Sequence, residues 1–396
     1  MALLLMVGAV PIWLLTQGAS PPRPAETNTG ATEPTSSRWN SLARGLEGGG
    51  HRHGHGAVGL PTRPLAVLSV AQWAAAEGSS AGPDAALALA VGAASAEVLS
   101  HLYPGGAAQI AEVLEIERRL ARERGLDGRA QQRAETVGRS AAARVIARAK
   151  HVELDRTAEF LSSGGGWSSA AGKAPVGAAW GNVRPWVLSS ASAVRPVAPP
   201  DRGSKQFEAE LEEVRRATSL RDESQLQSAI KWAEASMPGH WNTAAARLIT
   251  EQRSDERQAA RILAVLNTAL MDAQIACFEA KYTYSYIRPS QADPTISVPV
   301  AVPNFPAYPS GHACISGAAA KVLTHYFPAS GGALNAEAEE VAVSRLYAGV
   351  HYPIDNKTGL EMGRRVAELV LAQVERTGIK AVTQSRRDAG RGRALP

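Results

Sequence analysis

The chain has few cysteines, few aromatic residues and no strong excess of one charge. Only two of its 396 residues are cysteine, Cys277 and Cys314, which excludes a disulfide-stabilised scaffold. Aromatic residues make up 5% and hydrophobic residues 45% of the chain, so a large core can form mainly from small aliphatic side chains. The net charge is +5, and no basic stripe is interleaved with aromatic residues. This composition argues against nucleic-acid binding.

Several familiar sequence signals are also missing. There is no strand-like alternation of useful length and no repeat of fixed period. There is no nucleotide-binding glycine loop and no GxSxG elbow, so Ser310 is not predicted to be a hydrolase nucleophile. Apolar residues instead recur with helical spacing over much of the chain after residue 64. The pattern predicts an all-α fold, a helical bundle with long irregular loops.

Shifts in composition divide the chain into six parts. These are a signal-like segment at 1–20, a disordered linker at 21–64, a helical part at 65–160, an irregular loop at 161–203, a helical catalytic part at 204–378 and a basic tail at 379–396. The apolar start followed by small residues resembles a secretory signal peptide. It predicts a secreted or periplasmic protein, and a cytoplasmic one if the segment is not processed.

Two features outside the helical parts carry weaker functional hypotheses. His51, His53 and His55 alternate within the linker and could hold a metal, but a flexible polar tract is the preferred interpretation. In the loop, Trp167, Trp180 and Trp186 either cap the helical core or line the mouth of a channel.

Three short motifs between residues 281 and 355 carry an unusual set of polar residues. They are Lys281-Tyr-Thr-Tyr-Ser-Tyr-Ile-Arg288-Pro289, Pro309-Ser310-Gly311-His312, and Ser344-Arg345-Leu-Tyr-Ala-Gly-Val-His351-Tyr-Pro-Ile-Asp355. Arginine and lysine donate several hydrogen bonds to oxyanions. A serine and a glycine opening a helix add a hydroxyl and backbone N–H groups at its positive end. Together the motifs predict a socket for a tetrahedral oxyanion.

The two histidines in these motifs have separable roles. Asp355, four residues after His351, can hold the proton on one nitrogen of that ring, which leaves the other nitrogen free to attack or to ligate. His312 would lie opposite as a general acid or base. This pair distinguishes a catalytic site from a simple anion-binding site.

These motifs resemble the signature KxxxxxxRP…PSGH…SRxxxxxHxxxD of the type 2 phosphatidic acid phosphatase superfamily. That superfamily includes acid phosphatases, lipid phosphatases and the vanadium-dependent haloperoxidases. The surrounding sequence, over roughly residues 204–376, is similar to the haloperoxidase branch. The resemblance implies the helical bundle of the vanadium haloperoxidase and acid phosphatase type. One departure is the link from Pro289 to Pro309, which is shorter than in haloperoxidases and affects the expected substrate-side rim.

The resemblance also implies a role for each matched residue. The residues that would bind the oxygens of vanadate or phosphate are Lys281, Arg288, Ser310, Gly311 and Arg345. His351 would ligate the vanadium of vanadate or act as the phosphatase nucleophile. His312 would be the acid or base, and Asp355 would orient His351. Phe305 would lie on the halide side of the pocket.

Three functions fit this set. The first is a vanadium-dependent haloperoxidase, with vanadate as cofactor, hydrogen peroxide and halide as substrates, and Lys281 also acting on the peroxide. The second is an acid phosphatase that hydrolyses phosphomonoesters through a phosphohistidine and needs no cofactor. The third, a non-catalytic oxyanion-binding protein, does not need His312. Sequence context around Phe305 and Trp241 favours the first. No membrane span is predicted after residue 20, which disfavours a lipid substrate, and a homodimer is left open.

Overall fold

A computed structural model describes residues 33–49, 60–79, 82–150 and 164–383. Within these ranges the fold is all-helical, as the sequence predicts, and they contain no β-strand beyond one isolated bridge between Gly166 and Tyr286. The signal-like segment, the three alternating histidines and the tail beyond residue 383 lie outside the described residues. The predictions for those segments therefore remain predictions.

The described residues form fourteen α-helices. They are α1 (Thr35–Gly49), α2 (Arg63–Gly78), α3 (Asp84–Leu102), α4 (Ala107–Glu123), α5 (Gly128–Lys150), α6 (Lys205–Ser219), α7 (Glu223–Glu234), α8 (Met237–Glu251), α9 (Glu256–Tyr284), α10 (Pro289–Ala292), α11 (Gly311–Tyr326), α12 (Gly331–Tyr347), α13 (Pro353–Thr377) and α14 (Lys380–Thr383). Ser236 caps α8, and Pro238 lies in its first turn.

Within the predicted disordered linker at 21–64, the described residues 35–49 instead form helix α1, which corrects the prediction for that part. Trp39 is fully buried, and Leu42, Ala43 and Leu46 lie on the same face against the core. The first turn is capped from far away in sequence, because the carboxylate of Glu256 accepts the N–H groups of Thr35 and Ser36. A distant cap of this kind leaves no local signal, so the polar residues around the helix suggested a linker.

Helix α9 is the central element of the core. Asp255 caps its first turn in a capping box with Gln258, and nearly every residue from Ala259 to Ala280 is buried. It packs against α2 on one side and against α11 and α13 on the other. Because this helix ends at the first motif, the packing of the core fixes the position of that motif.

Two helices, α3 and α9, are long and apolar enough to cross a membrane by length and composition alone. The most apolar windows of these helices are 67% and 94% buried against the rest of the described protein. Burial of this extent is what an apolar helix in a folded core shows.

Residues 164–203 form an irregular segment, here called the strap, which lies along the C-terminal half of α9. The buried carboxylate of Asp272 accepts the backbone N–H groups of Trp186, Val187 and Leu188 at 2.7, 2.8 and 2.9 Å. Four tyrosine hydroxyls add further anchors. Tyr282, Tyr284, Tyr286 and Tyr308 donate to the carbonyls of Val176, Pro196, Pro200 and Val197, respectively. A segment without regular structure is thus held by side chains of the motif region.

The three strap tryptophans are buried, as the core-capping interpretation requires. Trp180 also packs on Phe278 with ring centroids 4.5 Å apart, and Phe278 packs on Phe305 at 5.1 Å. Trp180 therefore reaches the candidate pocket only through two intervening rings.

Candidate active site

Lys281 lies in the last turn of α9, where Ser285 adopts a left-handed conformation with φ of 45° and turns the chain back. The side chain is fully buried. Its Nζ donates to the carbonyls of Pro306 and Ala307 at 2.9 and 2.8 Å. Burial, reinforced by the charge of Arg288, lowers the pKa of Lys281 to about 8. The amine is therefore still mostly protonated at pH 7, but it loses its charge as the pH rises past about 8.

Arg288 is also fully buried, and its position is fixed by three acceptors. Its Nε donates to the carbonyl of Phe305 at 3.0 Å, and its Nη1 donates to the carbonyl of Val350 at 2.7 Å and to Nε2 of His351 at 3.2 Å. Its Nη2 has no hydrogen-bond partner among the described residues. A buried guanidinium nitrogen without an acceptor is costly and points to a missing anionic group.

Phe305 covers both cations. Nζ of Lys281 and Cζ of Arg288 each lie 5.0 Å from its ring centroid. The face of the ring attracts cations, so Phe305 forms an apolar wall without displacing the charges. The structure thus places the predicted halide-side residue against the two cations of the first motif.

The second motif lies at the N-terminus of α11. Ser310 occupies the N-cap position, but its hydroxyl does not cap the helix, and its buried Oγ has no partner among the described residues. A Cβ added to Gly311 would lie 3.9 Å from Cε of Lys281, so the helix N-terminus faces the lysine. A free hydroxyl beside a helix N-terminus is chemically suited to accept an anion.

His312 lies partly exposed at this helix N-terminus. Its Nε2 is 2.9 Å from the carbonyl of Trp232. A carbonyl can only accept, so Nε2 carries the proton and Nδ1 keeps its lone pair in the neutral ring. Burial and the charge of Arg345 lower the pKa of His312 to about 3. Without an anion nearby, the ring is a proton acceptor.

Arg345 comes from the end of α12. Its Nε donates to Oγ of Ser344 at 3.1 Å, and its Nη2 donates to the carbonyl of Ala229. Burial lowers its pKa to about 10. Its charge acts on both His312 and His351, so it belongs to the same pocket.

His351 and Asp355 form a buried hydrogen-bonded pair. Nδ1 of the ring is 2.9 Å from Oδ2 of Asp355, and the N–H of Tyr352 donates to the same oxygen at 3.0 Å. The ring nitrogen Nε2 therefore keeps a lone pair directed toward Arg288. Burial and the charge of Arg288 hold the pKa of His351 well below its usual value. Burial raises the pKa of Asp355 to about 7.

These residues fit an oxyanion such as vanadate or phosphate. Three buried cations, Lys281, Arg288 and Arg345, meet one buried carboxylate, Asp355, so the pocket carries excess positive charge. Nη2 of Arg288 and Oγ of Ser310 are buried donors without acceptors. Both would be satisfied by oxygens of one anion, with Nε2 of His351 available to its central atom. The residues predicted from the three motifs are thus brought together.

The sequence did not reveal the contribution of α7. The carbonyls of Ala229 and Trp232 near its end orient Arg345 and His312. Backbone carbonyls leave no residue-type signal, and only the helical spacing of α7 was readable. The role of Asp272 in anchoring the strap was missed for a related reason, because its partners are backbone N–H groups about 85 residues away in the chain.

Comparison with known proteins gives one family match and several similar folds. Residues 262–379 match the family described as the PAP2 superfamily. No curated protein sequence matches the chain. The fold is similar to that of a bacterial vanadium-dependent iodoperoxidase, with a TM-score of 0.69, 21% identity, and coverage of 85% of this chain and 94% of that one.

Two structures of bacterial vanadium-dependent chloroperoxidase are also similar. The apo form has a TM-score of 0.63 at 13% identity, and the holo form 0.60 at 14%. Each match covers 81% of this chain, and 96% or 93% of the chloroperoxidase chain. Residues 262–379 are thus similar to the PAP2 superfamily, and the all-helical fold is that of these vanadium haloperoxidases.

Proposed function

We propose that the protein is a vanadium-dependent haloperoxidase. The observation that carries the proposal is that one pocket holds two unpartnered buried donors, Nη2 of Arg288 and Oγ of Ser310, together with Nε2 of His351, an unprotonated nitrogen that faces Arg288. Bound vanadate would supply the metal centre that activates hydrogen peroxide for two-electron oxidation of halide. Lys281, Arg288, Arg345, Ser310 and the N–H of Gly311 would hold its oxygens.

The remaining residues would position groups and move protons. Asp355 holds the Nδ1 proton of His351 and so keeps Nε2 as a ligand. His312, neutral with a free lone pair on Nδ1, can take a proton from hydrogen peroxide arriving at the pocket. Phe305 presents an apolar face where a weakly hydrated halide can lose its water at low cost.

A phosphatase is the alternative that the same pocket could support. There His351 would attack phosphorus, and a protonated His312 would give its proton to the leaving oxygen. Burial and the charge of Arg345 lower the pKa of His312 to about 3. In the free protein at neutral pH the ring therefore lacks the extra proton that it would give to a leaving group. This favours the peroxidase, in which the same ring acts first as an acceptor.

The test uses the purified full-length chain supplied with vanadate and hydrogen peroxide. Iodide, bromide and chloride are compared in separate reactions, with phenol red as the organic acceptor. We expect halogenation of the dye, its loss in His351→Ala and its retention in His325→Ala, a surface histidine control. Hydrolysis of p-nitrophenyl phosphate without dye halogenation would identify a phosphatase instead. Absence of both reactions would indicate an oxyanion-binding protein.

A further inference from the structure

Two buried thiols lie behind the oxyanion pocket, and the proposed reaction uses neither. Cys277 is one helical turn before Lys281 on α9, and Cys314 is one turn after Ser310 on α11. Both side chains are fully buried, and the two are not bridged. Residues four apart share a helix face, so each sulfur lies on the same side of its helix as a residue of the pocket.

The two thiols are direct neighbours. Helices α9 and α11 pack together, and the thiols of Cys277 and Cys314 lie close enough for each to shift the pKa of the other. Sγ of Cys277 also lies 3.8 Å from the carbonyl of Pro309, and Sγ of Cys314 lies 4.0 Å from Sδ of Met362. Oxidation to a disulfide therefore requires a local adjustment, since no distant segments must be brought together.

The surroundings make the two sulfurs chemically unequal. Burial alone would raise the pKa of Cys277, but the neighbouring Cys314 and the charges of Lys281 and Arg288 bring it below its usual value. Burial raises the pKa of Cys314 well above its usual value. In such a pair the thiol with the lower pKa is the one expected to attack, and its partner is the one expected to resolve.

We propose that Cys277 and Cys314 form a reversible disulfide site that is oxidised by hydrogen peroxide. The sulfur of Cys277 attacks one peroxide oxygen, the O–O bond breaks, and one water leaves as Cys277 becomes a sulfenic acid. The sulfur of Cys314 then attacks that of Cys277, the S–S bond forms, the S–O bond breaks, and a second water leaves. Two thiols lose two electrons and two protons, and one peroxide becomes two waters.

This bridge would tie α9 to α11 one turn away from Lys281 and Ser310. It would fix the spacing between the lysine and the helix N-terminus that face the oxyanion. The reaction needs peroxide but no oxyanion and no halide, so it goes beyond the proposed function and does not depend on it.

The test exploits the presence of only two cysteines in the chain. The full-length protein is reduced, freed of reductant, and treated with hydrogen peroxide in the absence of vanadate and halide. Catalase then removes the remaining peroxide. The protein is denatured, its free thiols are alkylated with a maleimide, and its mass is measured by intact-protein mass spectrometry. We expect the oxidised monomeric chain to take up no maleimide and to weigh about 2 Da less than the reduced, unlabelled chain. Dithiothreitol should restore both, and peptide mapping should recover the linked Cys277 and Cys314 peptides.

Two single variants act as controls on the chemistry. Cys314→Ser should lose the reversible mass decrease and instead gain oxygen atoms on Cys277. Cys277→Ser should keep an alkylatable Cys314, because its pKa is raised. The proposal is overturned if both thiols of the parent protein stay alkylatable, if they take up oxygen without bridging, or if disulfides form only between chains. The halogenation and phosphatase assays give no information on this outcome, so the two proposals fail separately.

Discussion

The pair formed by His351 and Asp355 gives the sharpest test of the site, through the isosteric change Asp355→Asn. The parent carboxylate accepts the Nδ1 proton of His351 and the N–H of Tyr352 with one oxygen. An asparagine oxygen can accept both protons, but without the negative charge that makes Nε2 a strong ligand. A charge-assisted hydrogen bond is worth about 1.4 kcal/mol more than a neutral one. That difference corresponds to about tenfold weaker vanadate binding.

The measurement is isothermal titration calorimetry of vanadate into the full-length protein. Asp255→Asn is the matched control, because it makes the same chemical change at the exposed N-cap of α9, where asparagine caps as well as aspartate. Burial raises the pKa of Asp355 to about 7, so a neutral amide there should not lower the thermal unfolding midpoint by more than a few degrees. Unchanged vanadate affinity in a folded Asp355→Asn protein would refute the assigned role of His351.

Three further predictions concern other parts of the structure. Because the pKa of Lys281 is lowered to about 8, vanadate affinity measured by calorimetry should fall as pH rises from 7 to 9. The fall should be shallower in Lys281→Met, and an equal dependence of affinity on pH in both proteins would contradict the role of the lysine charge. Asp272→Ala leaves three buried N–H groups without an acceptor, so urea unfolding should show that the free energy of unfolding falls by at least about 3 kcal/mol. Limited proteolysis should also cut the strap faster, and unchanged cleavage would mean that the strap is held elsewhere. Burial raises the pKa of Glu256 to about 7, above its unfolded value, so its contribution to stability is present at low pH and is lost as pH rises from about 4.5 to 7. Thermal melting of Glu256→Gln should therefore show a flatter dependence of stability on pH in this range. An unchanged dependence would show that another group titrates.

The grouping of the motif residues was predictable because its signal lies in side-chain identity. Lys281, Arg288 and Arg345 stand out as cations in apolar surroundings, and the spacing from His351 to Asp355 is one helical turn. The all-helical fold was readable for a similar reason, since α9 and α13 carry long apolar stripes. These signals are local, and each survives without knowledge of the rest of the chain.

The missed features depend on partners that are distant in sequence. Helix α1 is stabilised by a carboxylate 221 residues away from Thr35, so the sequence near residue 35 contains no capping signal that predicts a helix. The orientation of His312 depends on the carbonyl of Trp232, a group that every residue possesses. The proximity of the two cysteines also needed the packing of α9 on α11. Long-range pairing, rather than weak propensity, limited the sequence-based prediction.

The way the strap is held has a consequence for protein engineering. Its tyrosine anchors reach main-chain carbonyls of the strap rather than its side chains, and Asp272 likewise binds main-chain N–H groups. The exposed side chains of the strap are therefore free to vary without releasing it, whereas its buried tryptophans have to be kept. Gly165 and Gly181 are exceptions, because a Cβ there would collide with backbone atoms at 2.0 and 2.6 Å. A combinatorial library could therefore randomise the exposed positions of the strap, with its tryptophans and glycines held constant, without detaching it from α9.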